Sequence, residues 1–215
     1  MPWLSGLQAK LKSSHNVANE GTIEIQRKSI SIKIANRYKN AVMDDCSEPL
    51  KEYCLRWLQT PQEIPAPLIM GAAGVGKTYI LNALYEILNK KDYLSEDTGV
   101  TLVNATNLIC DIKNGIANNQ SNNIIDNYKK TKILMIDDIG ADRITDYTKE
   151  LVYIILDYRY NWCLPTPMTT NYQLSELRNL LGERITSRII GMTKQFVISG
   201  KDRRLSKLKE ERSVK

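Results

Sequence analysis

The sequence predicts an α/β protein in which a parallel sheet of five strands is covered by helices on both faces. Short apolar runs alternate with stretches of helical periodicity between about residues 47 and 198. Strands that alternate with helices are joined by crossovers, and the crossovers cover both faces of a parallel sheet. A glycine-rich loop separates one strand from the helix after it, and the apolar run Ile133-Leu134-Met135-Ile136 ends in two adjacent carboxylates, Asp137 and Asp138. At 215 residues the chain has room for one sizeable domain with appendages.

The elements follow in chain order. Residues 1–35 are polar and basic, and the alternations Thr22-Ile23-Glu24-Ile25 and Ser29-Ile30-Ser31-Ile32-Lys33-Ile34 have the period of a short strand or hairpin. In 47–58, Leu50, Tyr53, Cys54, Trp57 and Leu58 share one helical face, and Pro61, Pro65 and Pro67 then break the chain into a connector. Residues 66–70 are the first sheet strand, followed by a helix over 78–89 marked by Ile80, Leu81, Leu84, Ile87 and Leu88. A strand at 100–103 leads to a helix at 107–117, and the Asn-rich stretch 118–123 reads as a loop or turn. Residues 132–137 form the third strand. The helix over 146–160 places Leu151, Ile154, Ile155 and Tyr158 on one face. A strand at 166–170, a helix over 174–188 interrupted at Gly182 and a strand at 195–198 complete the pattern.

Composition narrows the class of function. With 42% hydrophobic and 25% charged residues the chain is neither disordered nor low-complexity. The N-terminal residues lack the apolar core of a secretion signal and no apolar run is long enough to cross a membrane, so a cytoplasmic protein is expected. Cys46, Cys54, Cys110 and Cys163 match neither a zinc-site spacing nor a redox pair, which predicts reduced, buried thiols. His15 is the only histidine, and this excludes a His-based triad. The net charge of +6 is uneven: residues 1–43 carry seven basic and two acidic side chains, and residues 201–215 carry seven and three. Basic ends on a mildly acidic body suit phosphates or an acidic protein surface, and equally suit solvated termini.

The chemistry lies in two motifs. Gly71-Ala72-Ala73-Gly74-Val75-Gly76-Lys77-Thr78 fits G-x-x-x-x-G-K-[ST] between a strand and a helix, the context the motif requires. Its backbone N–H groups can turn inward around a phosphate at the positive end of the helix. Lys77 can then reach the β- and γ-phosphates of a bound nucleotide, and the Thr78 hydroxyl can ligate Mg²⁺. The buried strand before Asp137 holds that carboxylate rigidly for the Mg²⁺ shell, and Asp138 is placed to polarise the attacking water as general base. Together the motifs predict a nucleoside triphosphatase.

At this point the chain resembles a known family. Thr169-Thr170-Asn171 resembles the sensor 1 motif of AAA+ ATPases, whose Asn orients water against the γ-phosphate. Leu181-Gly182-Glu183-Arg184-Ile185-Thr186-Ser187-Arg188 resembles the G-E-R-x-x-x-R box of DnaC/DnaI-type helicase loaders and the related IstB transposition ATPases. Arg37-Tyr38-Lys39-Asn40-Ala41, Ile139-Gly140-Ala141, Tyr158-Arg159-Tyr160 and Leu164-Pro165-Thr166 add to a resemblance that covers about residues 35–204. It implies a three-layer P-loop NTPase fold with an AAA+ core over 36–200, a short basic arm over 1–35 as a possible partner-binding extension, and a basic tail over 201–215. It also implies an arginine finger supplied by a neighbouring subunit. Arg188 is the first choice by motif and Arg184 the second, with self-association through this box. From the residues alone, each reads as a surface helix arginine paired with Glu183 or solvent. The family places adenine contacts around Arg37 and Tyr38.

Three departures qualify the resemblance. Asp138 stands where many AAA+ enzymes carry Glu, which suggests slow turnover. Only 15 residues follow Gly200, so no C-terminal helical lid with its arginine is expected, as in the loaders and the IstB proteins. The N-terminal arm has no metal ligands, unlike the zinc-bearing helicase-binding domain of some loaders. For DNA, initiator-type members insert a helix ahead of the Walker B strand. The matching region, about 105–132, contains Lys113, Lys129, Lys130 and Lys132, with Arg203 and Arg204 as further candidates. The same lysines suit an ordinary solvated helix.

The first reading is an ATP-dependent loader of a hexameric DnaB-type replicative helicase onto single-stranded DNA. The second is an IstB-like ATPase that regulates a transposase on duplex DNA. A small-molecule P-loop kinase is opposed by the sensor and arginine motifs. A module that binds ATP only as a structural ligand is the fourth reading.

Overall fold

Five apolar runs become five parallel strands in the order β2-β3-β4-β1-β5. They are β1 (Ala66–Met70), β2 (Val100–Asn104), β3 (Ile133–Asp137), β4 (Met168–Thr170) and β5 (Thr193–Val197). The computed structural model describes Tyr38 and residues 41–43, 46–90, 99–118, 120–141 and 145–203. The predicted strand or hairpin at 22–34, Arg37 and Arg204 lie outside the described residues. The described helices are α1 (Glu48–Trp57), α2 (Lys77–Lys90), α3 (Ala105–Ala117), α4 (Ser121–Lys130), α5 (Asp146–Asn161), α6 (Leu174–Leu181) and α7 (Glu183–Met192). None of them is long and apolar enough to cross a membrane.

The strand order is what builds the site. β4, late in the sequence, inserts between β1 and β3, with Met168 opposite Leu68 on one side and Ile136 on the other. The C-terminal ends of β1, β4 and β3 therefore adjoin, bringing together chain positions about sixty and a hundred residues apart. Leu68, Leu134, Met168, Leu156, Leu177 and Ile189 are buried in one core cluster. Burying such a side chain contributes roughly 1.5–3 kcal/mol before the entropy of ordering it is counted.

Local chemistry sets the helix ends. Asn104 caps α3 by accepting from the Thr106 N–H at 2.9 Å, and Thr145 caps α5 by accepting from the Thr148 N–H at 3.3 Å. At Gly182 the expected interruption splits the helix into α6 and α7, and the backbone there has φ 91°, a left-handed value that a side chain resists. The break reorients the chain so that α7 packs along α5.

Two expectations are corrected. The stretch 118–123 is not all loop, since α4 begins at Ser121. Asn lowers helix propensity, but burial of Ile125 and Tyr128 outweighs it, and the Tyr128 hydroxyl donates to Asp111 Oδ2 at 2.7 Å across to α3. The expectation of buried thiols holds for Cys54 alone: Cys46 is half-buried, and Cys110 and Cys163 are exposed, one on the outer side of α3 and the other in the turn after α5. Burial pushes the Cys54 thiol up to about 12, so it stays protonated at neutral pH.

Candidate active site

The loop 71–78 leaves β1 and enters α2, held from both sides. The Gly71 N–H donates to the Thr170 carbonyl at 3.2 Å, the Ile198 N–H to the Met70 carbonyl at 2.8 Å, and the Arg203 N–H to the Gly74 carbonyl at 3.0 Å. Gly74 has φ 79°, and a Cβ there would fall 2.1 Å from the Asp202 carboxylate. The backbone conformation therefore favours glycine, and a side chain there would also displace the Asp202 carboxylate. The Arg203 Nε lies only 3.4 Å from where a Cβ on Gly76 would be. Arg203, a DNA candidate by charge, is thus seated against the glycine-rich loop.

Lys77, at the start of α2, is 6% exposed. Its ammonium donates to the Gly71 and Ala72 carbonyls at 2.9 and 2.7 Å and to the Asn171 amide oxygen. The Asn171 amide nitrogen in turn donates to Asp138 Oδ1 at 2.6 Å. One side chain at the end of β4 therefore connects the loop lysine to the carboxylate after β3, with the amide oxygen on the cation and the amide N–H on the anion. Only this amide orientation satisfies both neighbours.

Thr78 donates to both oxygens of Asp137 at 3.1 Å, and Thr169 donates to Asp137 Oδ1 at 2.6 Å. The Thr169 hydroxyl also accepts from the Asp138 N–H at 2.8 Å. Asp138 sits at φ 59°, in the left-handed region that costs a non-glycine residue of order 1 kcal/mol. The fully buried Thr169 holds that turn while it aims the neighbouring carboxylate. The sequence places Thr169 inside the sensor-like motif, but nothing in its spacing shows that its hydroxyl serves both acidic residues. That becomes visible only once β4 lies beside β3.

The donor set fits Mg²⁺. A hydroxyl and one carboxylate meet at 3.1 Å beneath the loop, and the described residues hold no group of three or more His, Cys, Asp or Glu that would form an all-protein cage. Mg²⁺ takes hard oxygen ligands, commonly one or two from the protein, with phosphates and water completing the shell.

The arginine box lies elsewhere, on α7 against α5. Arg184 stacks on the Tyr153 ring at 3.9 Å, and Arg188 donates from Nε to Asp157 Oδ1 at 2.7 Å while lying over the Tyr160 ring at 4.8 Å. The expected alternative, pairing of either arginine with Glu183, is replaced by another pair, because Glu183 is engaged by Arg178 at 2.7 Å. Among the DNA candidates, Lys113 is exposed on α3. Lys129 and Lys130 share Asp126 at 3.2 and 2.9 Å, and the two ammonium groups hold that carboxyl below its usual range. Lys132 is half-buried. Much of the positive charge of α4 is thus balanced within the helix.

Residues from β1, β3 and β4 converge on one phosphate-binding loop, in a parallel sheet of order β2-β3-β4-β1-β5, and this combination defines an ATPase domain of the AAA+ class. The chain belongs to the bacterial DnaA ATPase-domain family, whose model matches residues 54–195. It is 27% identical over 149 residues to the replicative helicase loader DnaI of Bacillus subtilis, covering 63% of this chain and 46% of that protein. It is 26% identical over 124 residues to the replicative helicase loader DnaC of Escherichia coli, covering 57% of this chain and 49% of that protein. The chain thus spans about half the length of these two relatives. A crystal structure of a DnaC helicase loader superposes with a TM-score of 0.66 at 27% identity, covering 77% of this chain and 100% of that one.

Proposed function

We propose that this protein is an ATP-dependent loader that places a hexameric DnaB-type replicative helicase on single-stranded DNA, assembling through its arginine box and hydrolysing ATP slowly within the assembly. The observation that supports the reading is that one chain carries two distinct groups on different elements: the Lys77–Asn171–Asp138 connection beside the glycine-rich loop, and Arg184 and Arg188 on α7 against α5. A site divided in this way works when copies stand side by side. The similarity to DnaI and DnaC favours a helicase as the partner over the transposase of the IstB-like reading.

In this mechanism the triphosphate settles on the N–H groups of 71–78, and Lys77 turns from the Gly71 and Ala72 carbonyls towards the β- and γ-phosphates. Thr78 and Asp137 would hold Mg²⁺, which would supply positive charge to neutralise those phosphates. Asn171 orients the attacking water, and Asp138 takes its proton. The partner copy's arginine then meets the charge that spreads over the transferring phosphoryl group. Lys113, Lys129 and Lys130 are the proposed contacts to DNA phosphates, for which the signature is affinity that falls steeply with added salt.

Thr169→Val removes the hydroxyl that serves both Asp137 and Asp138 while keeping its volume. ATP turnover is expected to fall roughly tenfold to a hundredfold, because the base and the metal-binding carboxylate lose their registration. Steady-state hydrolysis of the variant, compared with its nucleotide affinity, is the check, and an unchanged rate would remove Thr169 from the site. The loader reading itself is tested by co-elution of the purified protein with its host's replicative helicase, with and without ATP and Mg²⁺. A complex supports it. Absence of a complex, with ATP-dependent assembly on duplex DNA instead, transfers the assignment to the transposase regulator.

A further inference from the structure

We infer that Asp157 is the positioning residue of the arginine finger, gripping Arg188 by its Nε so that the two terminal nitrogens remain as the fork for a partner copy's γ-phosphate. The inference rests on the reading of Arg188 as that finger. Arg188 leaves α7 and donates to Asp157 Oδ1 at 2.7 Å, with side-chain exposures of 31% and 27% for the two partners, so the pair is shielded on one side and open on the other. Its guanidinium is layered over Tyr160, with Tyr153 further off at 5.9 Å.

The carboxylate is itself held in place. Tyr153 donates its hydroxyl to Asp157 Oδ1 at 3.0 Å, and Asn161 donates its amide to Oδ2 at 3.0 Å. These donors and the Arg188 guanidinium hold the Asp157 carboxyl below its ordinary range, with Arg188 the largest cause, so it is ionised at neutral pH. Tyr153, Tyr160 and Asn161 stand four before, three after and four after Asp157 in α5, each one helical turn from it. The Tyr160 ring packs closely on α7 at Gly191, where a Cβ would be 2.7 Å from it. Tyr153 also carries Arg184 on its face, so both arginines of the box rest on one platform.

This arrangement suits a finger that must act in a neighbour's site. A long arginine on a bare helix loses much rotamer freedom each time it engages a phosphate, and pre-ordering removes part of that loss. A grip at Nε leaves the Nη pair, whose planar fork matches phosphate oxygens. A surface ion pair of this kind adds little to fold stability, so its removal can be read in catalysis.

The test is Asp157→Ala. Binding of a fluorescent ATP analogue is expected to match the unaltered protein. Turnover of the assembled protein is expected to fall roughly tenfold or more at unchanged KM. Mixing with Asp138→Asn subunits, which keep an intact arginine face and have lost the base, is expected to raise turnover above that of either variant alone. General damage to the fold would lower nucleotide binding as well and would not be restored by mixing. Unchanged or faster turnover, or no recovery in the mixture, overturns the assignment. Arg188→Ala measured alongside separates the two ideas. If that variant keeps full assembled turnover, the finger reading itself falls; if it loses turnover while Asp157→Ala keeps it, only the role of Asp157 falls.

Discussion

Arg159→Met is expected to destabilise the protein by about 3–5 kcal/mol, because several buried carbonyls lose their donor at once and each unsatisfied group costs about 1–3 kcal/mol. Arg159 is fully buried in α5. Its Nε donates to the Thr166 hydroxyl at 2.9 Å, one Nη to the carbonyls of Tyr128, Lys129 and Thr131 at 3.0, 3.1 and 2.6 Å, and the other to those of Lys132 and Pro165 at 3.4 and 2.8 Å. No carboxylate is among these partners. The charge is balanced by carbonyl dipoles, several of them the unpaired carbonyls at the C-terminal end of α4, where a cation is favoured. Burial pulls the guanidinium down to about 9, which leaves it protonated at neutral pH. Methionine would fill the channel of the stem and leave those carbonyls without donors. Lysine offers only three donors on a compact head and should recover part of the loss. Denaturant unfolding, with hydrogen exchange read over α4 and the start of β3, gives the measurement. A change below about 0.5 kcal/mol, the usual surface value, would refute this account.

Arg188→Ala is the larger expected effect on activity. A finger supplied by a neighbour is worth roughly 10³–10⁵ in rate, so the assembled variant should lose at least about a thousandfold in ATP turnover while ATP binding stays intact. The separation follows from placement, since Arg188 rests on Asp157 and Tyr160 of α5, remote in contact from the Lys77–Asn171–Asp138 connection. Stability should change little, because the ion pair is part-exposed. Single-turnover hydrolysis against protein concentration is the check: the unaltered protein is expected to speed up as copies assemble, and the variant to stay flat. A variant that accelerates normally with concentration would exclude Arg188 as the finger and leave Arg184, stacked on Tyr153, as the next residue to remove.

The glycine-rich loop and the apolar strand ending in Asp137-Asp138 are local patterns, in which spacing alone brings the needed atoms into one turn or onto one strand end. They were therefore legible before any fold was known. So were most strands and helices, because periodicity within ten residues reports burial of one face. The start of α4 at Ser121 was not legible, since its support is tertiary: Ile125 and Tyr128 are buried, and Tyr128 reaches Asp111 on α3. The exposure of Cys110 and Cys163 had the same origin, because residue type gives a tendency and packing decides the outcome.

By itself the sequence determined the class of chemistry, through short motifs whose geometry is set by covalent neighbours. Only the tertiary structure decided which distant residues meet around those motifs. The insertion of β4 between β3 and β1 gave Thr169 its hold on Asp137 and Asp138 and set Asn171 between Lys77 and Asp138. The packing of α7 on α5 joined Arg188 to Asp157, and the approach of α5 to the end of α4 buried Arg159 among carbonyls. Hydrogen bonds act over about 3 Å, whereas these partners are about thirty to ninety residues apart in the chain, so their pairing is a property of strand order and helix packing.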